Sequence, residues 1–321
     1  MVERGEPAQY LHLHAASLVE LIESHAFRQK DEEFGETLRR TQTLIETALK
    51  EDARFVHYST GEGVETGLWG LNEQIERPRP QQEDHLHLWQ DDYKRSESVT
   101  AENAPGIPAP SLRRAALESL TDRLEIIIVN YLQKNHESIY LEVENEVYRS
   151  FAGLLTPSKR MIYAILDSYA EKDGAIWKLR AEDTAAARQQ DLRIINSLIE
   201  TIGQRLKYKT HKDGKWMIWQ ENEKPVHVFH VLASALVGRA ISENPHPSES
   251  SVLVVPGGRA ALIAYKAERD PALARQLQSY QLTKYRLWRA LSNLPILTRE
   301  TFDEQLSGDP VEQAKGQMMM F

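Results

Sequence analysis

Residues 207–232, KYKTHKDGKWMIWQENEKPVHVFHVL, fall into three short runs separated by turn residues. The runs Lys207–His211, Trp216–Gln220 and Val226–Leu232 read as strands, the usual form of short β-branched and aromatic segments bounded by turns. Lys212-Asp213-Gly214 joins the first two as a hairpin, since Asp-Gly supplies the positive φ that a tight turn requires. Upstream, residues 186–206 place Leu192, Ile195, Leu198, Ile199, Ile202 and Leu206 at helical spacing, with an end near Gly203. Downstream, a helix is expected over about Ala233–Ile241. After it, Val252–Val255 (VLVV) is a wholly apolar strand bounded by Pro256, as parallel strands covered on both faces are. From Asp183 to Tyr265 the order is therefore helix, strand, strand, strand, helix, strand.

The bulk composition fits a chain of several modules. Its 321 residues, 41% of them hydrophobic, can bury two or three modest cores. No apolar run reaches the roughly 20 residues that span a bilayer, and no basic region precedes an apolar signal core, so a cytoplasmic chain without membrane contact is expected. There are no cysteines, which excludes disulfides, thiolate catalysis and zinc or iron–sulfur sites built on cysteine. Net charge is −8, unevenly spread: residues 1–110 carry 11 basic and 21 acidic side chains, 111–200 carry 12 and 14, 201–300 carry 15 and 8, and 301–321 carry 1 and 4. A basic third beside an acidic one suits a DNA-facing end and a protein-facing end, although ordinary solvated surfaces give the same asymmetry.

The rest of the chain divides around proline-rich sequence. In residues 1–75 two amphipathic helices are expected, over 8–26 (Leu11, Ala15, Leu18, Leu21, Ile22 inward) and 34–49 (Phe34, Leu38, Ile45, Leu49 inward). A ribbon follows, made of Arg54–Ser59 and Leu68–Leu71 and closing on Trp69. Helix, helix, ribbon is the back half of a winged helix. Residues 76–110 lose periodicity, gather prolines and acids, and read as a linker. In residues 111–182, a helix over 111–134 with Ser111 as N-cap, a second over Leu141–Phe151 and a third from Pro157 to Ala170 precede a strand at Ala175–Leu179, again a winged-helix order. Thr156-Pro157 is a start signal, because a capping hydroxyl precedes a residue whose missing N–H costs nothing in the first turn. Trp69-Gly70-Leu71 and Trp177-Lys178-Leu179 close the two modules alike. Residues 307–321 form a flexible tail.

The chemistry-bearing candidates are few. A winged helix presents the start of its third helix to the DNA major groove, here Ser158, Lys159 and Arg160. Pro256-Gly257-Gly258-Arg259 follows a buried strand, and Gly-Gly amides beside an arginine can cradle phosphate. The Gly-Lys-Ser/Thr ending of a P-loop is missing, and a plain strand-to-helix turn reads the same way. Further on, Lys266, Lys284, Arg286 and Arg289 interleave with Tyr265, Tyr280, Tyr285 and Trp288, a pattern that suits backbone contacts to nucleic acid. Of the histidine pairs His12/His14, His85/His87 and His227/His230, the first stands two apart on a helix, where side chains diverge and do not easily share a metal, and the second lies beside the linker as solvated residues do; no functional metal is expected at any of them. No metal, cofactor or catalytic group is expected.

The strand order of 183–265 is that of a restriction-type nuclease core, which needs a carboxylate on its second strand and an acid plus a lysine on its third to hold a divalent cation. Here the second strand begins Lys215-Trp216-Met217, and His230 and Leu232 stand where the acid and lysine are wanted. The stretches LTPSKRMIYAILDSYA (155–170), WKLRAEDTAAARQQDL (177–192), IGQRLKY (202–208), VLVVPGGRAALIAYK (252–266) and LTRETFDEQL (297–306) resemble the C-terminal parts of large bacterial DNA methylases and companion proteins of restriction and phage-defence systems. The resemblance covers about half of the chain and implies a DNA-modification or antiviral-defence setting, but carries over no catalytic residue. Neither a Gly-rich methylase cofactor loop nor its Pro-Pro tetrapeptide occurs. The expected fold is α+β and mostly helical, with winged-helix modules followed over 183–306 by an αβββαβ restriction-nuclease-like domain lacking catalytic residues. The expected function is a non-catalytic DNA-binding or scaffold subunit whose partners are double-stranded DNA and other subunits of a defence complex. Two alternatives stay open: a protein–protein module without DNA contact, and a weak metal-dependent nuclease using Glu200 and Glu221.

Overall fold

A computed structural model describes residues 4–23, 34–58, 63–72, 119–151 and 155–307. The fold is α+β, and the chain forms two compact units, Met1–Leu117 and Glu118–Phe321. The expected linker of 76–110 and tail of 308–321 lie outside the described residues, as do Ser111, His85 and His87.

In the first unit, β1 (Ala8–Gln9) leads into α1 (Tyr10–Glu23), followed by α2 (Phe34–Glu51), β2 (Phe55–Tyr58) and β3 (Leu68–Leu71). β3 is the middle strand, antiparallel to both neighbours, with Trp69 opposite Ala8 and His57. The small core gathers Tyr10, Leu49, Val64 and Trp69, and the Trp69 indole donates to Val64 O at 2.8 Å. Leu11, expected inward, is 71% exposed; Tyr10 and Leu13 take the inner face instead, because a helical step of one residue turns the side chain well away from the core.

The second unit opens with α3 (Leu120–Lys134), β4 (Ser138–Ile139), α4 (Tyr140–Ser150), α5 (Lys159–Tyr169), β5 (Ala170–Asp173) and β6 (Ile176–Leu179). β6 is paired antiparallel with both β4 and β5. Two caps differ from expectation. Ser119 caps α3 by accepting from Asp122 N, and Ser158, not Thr156, caps α5 by accepting from Met161 N, so that Pro157 sits before the helix. A serine hydroxyl reaches the third amide of its helix only from the N-cap position, which fixes where each helix starts.

Next come α6 (Ala185–Arg205), capped by Thr184, and β7 (Lys209–Asp213), β8 (Trp216–Glu221) and β9 (Lys224–Val231). The unit closes with α7 (Val237–Ser242), β10 (Ser251–Val255), α8 (Ala260–Arg269), α9 (Pro271–Gln278), β11 (Gln281–Lys284), α10 (Tyr285–Asn293) and α11 (Arg299–Ser307). The sheet order is β11-β10-β9-β8-β7, antiparallel from β7 to β9 and parallel from β9 to β11. Gly214 turns the first hairpin at φ 56°, while Asn222 and Glu223 turn the second at φ 48° and 64°. Two consecutive left-handed residues suit a two-residue hairpin, whose twist they match.

Alternation along β10 assigns the sheet's two faces. Val252 and Val254 point to a core with Ile195, Ile199 and Ile202 of α6, Trp288 of α10 and Phe302 of α11. Leu253 and Val255 point to another core shared with Leu124 and Ile128 of α3, Ile165 of α5 and Trp177 of β6. That second core runs through the boundary expected at 182/183, so Glu118–Phe321 packs as one body.

Gly203 shows how tightly α6 lies on the sheet. A Cβ there would come within 2.6 Å of the Trp219 ring and of Thr210 Cγ2, and Trp219 is fully buried. Gly203→Ala should therefore destabilise the unit by roughly 1–2 kcal/mol, overpacking outweighing the gain in helix propensity. A urea midpoint at or above that of the parent would contradict this.

Candidate functional site

The parallel strands β9, β10 and β11 end at Val231, Val255 and Lys284, and the segments that follow their carboxyl ends meet in a pocket of about 430 Å³. Open α/β sheets commonly bind ligands outside these ends. Ala233, the Pro256–Arg259 turn and Tyr285, Arg286 and Arg289 form part of the wall. The remainder is Arg180, Glu182, Asp183, Arg188 and Asp191, from the link between β6 and α6 and from the start of α6.

Several wall residues are held by partners of their own. Arg180 Nη2 donates to Asp167 O at 2.8 Å, and Arg188 Nε donates to Asp183 O at 2.8 Å. Arg289 pairs with Asp191 at 2.7 Å. The Tyr285 hydroxyl donates to Leu232 O at 2.7 Å, and its burial raises its pKa. Arg286 and Arg289 are exposed, as are Gly257 and Gly258.

Beneath the pocket lies a buried polar network. Arg259, 2% exposed, ion-pairs with Asp183 and donates to Ser168 O and, at 2.9 Å, to Ser168 Oγ. Its guanidinium lies 3.4 Å from the centre of the Tyr169 ring, whose hydroxyl donates to Glu125. Glu125 also accepts from Ala235 N at 2.9 Å and, with Asp122, holds the buried Lys266 ammonium. Burial works against that ammonium, but the two carboxylates outweigh it and keep its pKa above the ordinary lysine range. Burial likewise leads the rise of the Tyr169 pKa, with Glu125 adding to it.

The structure thus separates the predicted residues into three groups. Arg259, Arg286 and Arg289 come together in the pocket, although Arg259 is a wall member locked to Asp183 and not the open phosphate hook expected of the PGGR turn. Lys266 and Lys284 are buried, at 2% and 4% exposure, so the expected surface contact to nucleic acid does not hold for either ammonium here. Ser158, Lys159 and Arg160 are exposed at the start of α5. Ser158 is spent as a cap, Lys159 pairs with Glu144 at 3.6 Å, and Arg160 pairs with Glu268 at 3.8 Å while lying 5.5 Å over Tyr265. Arg180 and Arg188 were not among the predicted residues. Both lie in the quoted 177–192 stretch, but nothing in their spacing directs them to the turn after β10.

Among the described residues the acids and histidines form no second site. Glu200 is exposed, Glu221 pairs with Arg299 at 2.6 Å, and no group of three His, Asp or Glu among the described residues could hold a metal ion. His227 packs among Tyr208, Trp219, Phe229 and Phe302. His230 lies 4.3 Å from Trp216, and burial, helped by Lys215, lowers its pKa to about 3, so it stays neutral. No helix among the described residues is long and apolar enough to cross a membrane. Comparison with protein-family models, with curated proteins and with solved structures gives no match for this chain.

Proposed function

We propose that this chain is a non-catalytic DNA-binding subunit that holds phosphate in the arginine-lined pocket, working beside the enzymes of a bacterial DNA-modification or defence complex. The observation that carries the reading is the convergence of Arg180, Arg188, Arg259, Arg286 and Arg289 outside the carboxyl ends of β9, β10 and β11. Guanidinium groups are the side chains best suited to phosphate, because their planar donors match its oxygens two at a time.

The element order supports the same reading. Helix α6, strands β7 to β9, helix α7 and strand β10 follow one another as in a restriction-type nuclease core, and α3 to β6 follow one another as in a winged helix. Tyr285 ties the pocket wall to Leu232, the position where a cutting enzyme of this order wants its lysine. The third strand carries His230 in place of the acid, so the chemistry present favours holding a phosphodiester over cleaving it.

Duplex binding measured across a salt series tests this. Several phosphate contacts should give a log–log slope steeper than about −3, and Arg286→Ala with Arg289→Ala should make it shallower by about 1–2 while weakening all sequences alike. Absence of duplex binding at low salt would remove the reading. It would favour a second one, a protein-docking module, which rests on the exposed Ile139, Leu141, Tyr148 and Tyr163 of the β4–α5 region and on the pairing of Lys159 and Arg160 with acids.

A further inference from the structure

We propose that the pocket takes a phosphomonoester, the terminal phosphate of a nucleic-acid strand or of a free nucleotide, in preference to the internal phosphodiesters of a duplex. The inference rests on the reading that the pocket binds phosphate, and adds which kind.

Shape is the first argument. An internal phosphate is tethered on both sides and rides on the convex surface of a double helix, so a groove or a raised basic stripe meets it best. This site is a concavity of about 430 Å³, within the roughly 300–1,000 Å³ of pockets that enclose small molecules. A group tethered at one end only can enter it.

Charge is the second. Five arginines face Glu182, Asp183 and Asp191, an excess of two positive charges. A phosphomonoester carries about −1.5 to −2 near pH 7, whereas a diester carries a single negative charge.

Donors in the wall are the third. Gly257 and Gly258 are exposed on the same wall, and a Cβ at Gly257 would meet no atom within 4 Å, so there is room against the backbone where α8 begins. Arg259 N and Ala260 N are spent on Pro256 O and Gly257 O, so the amides that open this turn toward an anion are those of Gly257 and Gly258. A phosphomonoester offers three terminal oxygens to such a set, and a diester offers two.

The test uses the full chain and one short duplex prepared with 5′-phosphate, 3′-phosphate or hydroxyl ends, with a nucleoside monophosphate and inorganic phosphate as competitors. A terminal phosphate, at one or both kinds of end, should tighten binding about tenfold, as one added charge-assisted contact set does. The Arg286→Ala, Arg289→Ala double variant, altered only at exposed positions, should erase that difference. Competition by the nucleoside monophosphate against the phosphorylated duplex supports the same pocket chemistry. If the monophosphate binds while no duplex does, the ligand is a free nucleotide and the DNA reading falls. Equal affinity for all three duplexes, with no competition by either phosphate, overturns the inference and leaves DNA binding standing.

Discussion

Lys266→Met should destabilise the Glu118–Phe321 unit by about 3–5 kcal/mol, the range for removing one partner of a buried ion pair. The Lys266 ammonium is 2% exposed and is shared by Asp122 and Glu125 of α3 and, at 3.0 Å, by Ala235 O. Methionine fills similar space without charge, leaving two carboxylates facing each other out of water. Each must then take up a proton or draw in solvent, and either costs free energy. Adding Glu125→Gln should recover part of the loss, since it removes one stranded charge. Urea unfolding followed by tryptophan fluorescence gives the difference, and a loss below about 1 kcal/mol, within the range of ordinary substitutions, would show that the ion cluster is not what ties α3 to α8.

Arg259→Ala should cost a similar amount, about 3–5 kcal/mol, because it strands the Asp183 carboxylate in the interior. It also removes the guanidinium from the Tyr169 ring and the two donations to Ser168. Tyr169 and Glu125 join this arginine to the Lys266 cluster, so the two substitutions should not add; a coupling of about 0.5–3 kcal/mol is expected in a double-mutant cycle. The effect should appear in the free protein, before any ligand is present. An Arg259→Ala protein as stable as its parent, yet weakened toward phosphate, would return Arg259 to the role of an open hook on the PGGR turn.

These two residues mark where reading the sequence stops. Lys266 and Arg259 were expected at a surface because charged side chains are rarely buried unless paired. Their partners Asp122 and Asp183 lie 144 and 76 residues earlier, and no local pattern announces a pairing over that span. The same limit applies to Arg180 and Arg188, which enter the pocket only because the 180–191 segment crosses to the turn after β10. In contrast, Arg286 and Arg289 stand three apart on α10, and positions i and i+3 share a helix face whatever the helix packs against.

Local chemistry by itself determined the strand–turn–strand of 209–221, where Gly214 after Asp213 allows the reversal. It also determined the inward face of α6, where Ile195, Ile199 and Ile202 recur at helical spacing, and the buried character of β10, where every side chain is apolar or small. β11 escaped because four residues, Gln281–Lys284, hold too little alternation to announce a strand; β10 supplies its pairing, in parallel, from 29 positions earlier in register. Tertiary structure alone decided which cations became struts and which became a pocket. A side chain's charge is written in the sequence, but its burial and its counter-ion are set by what the fold packs against it.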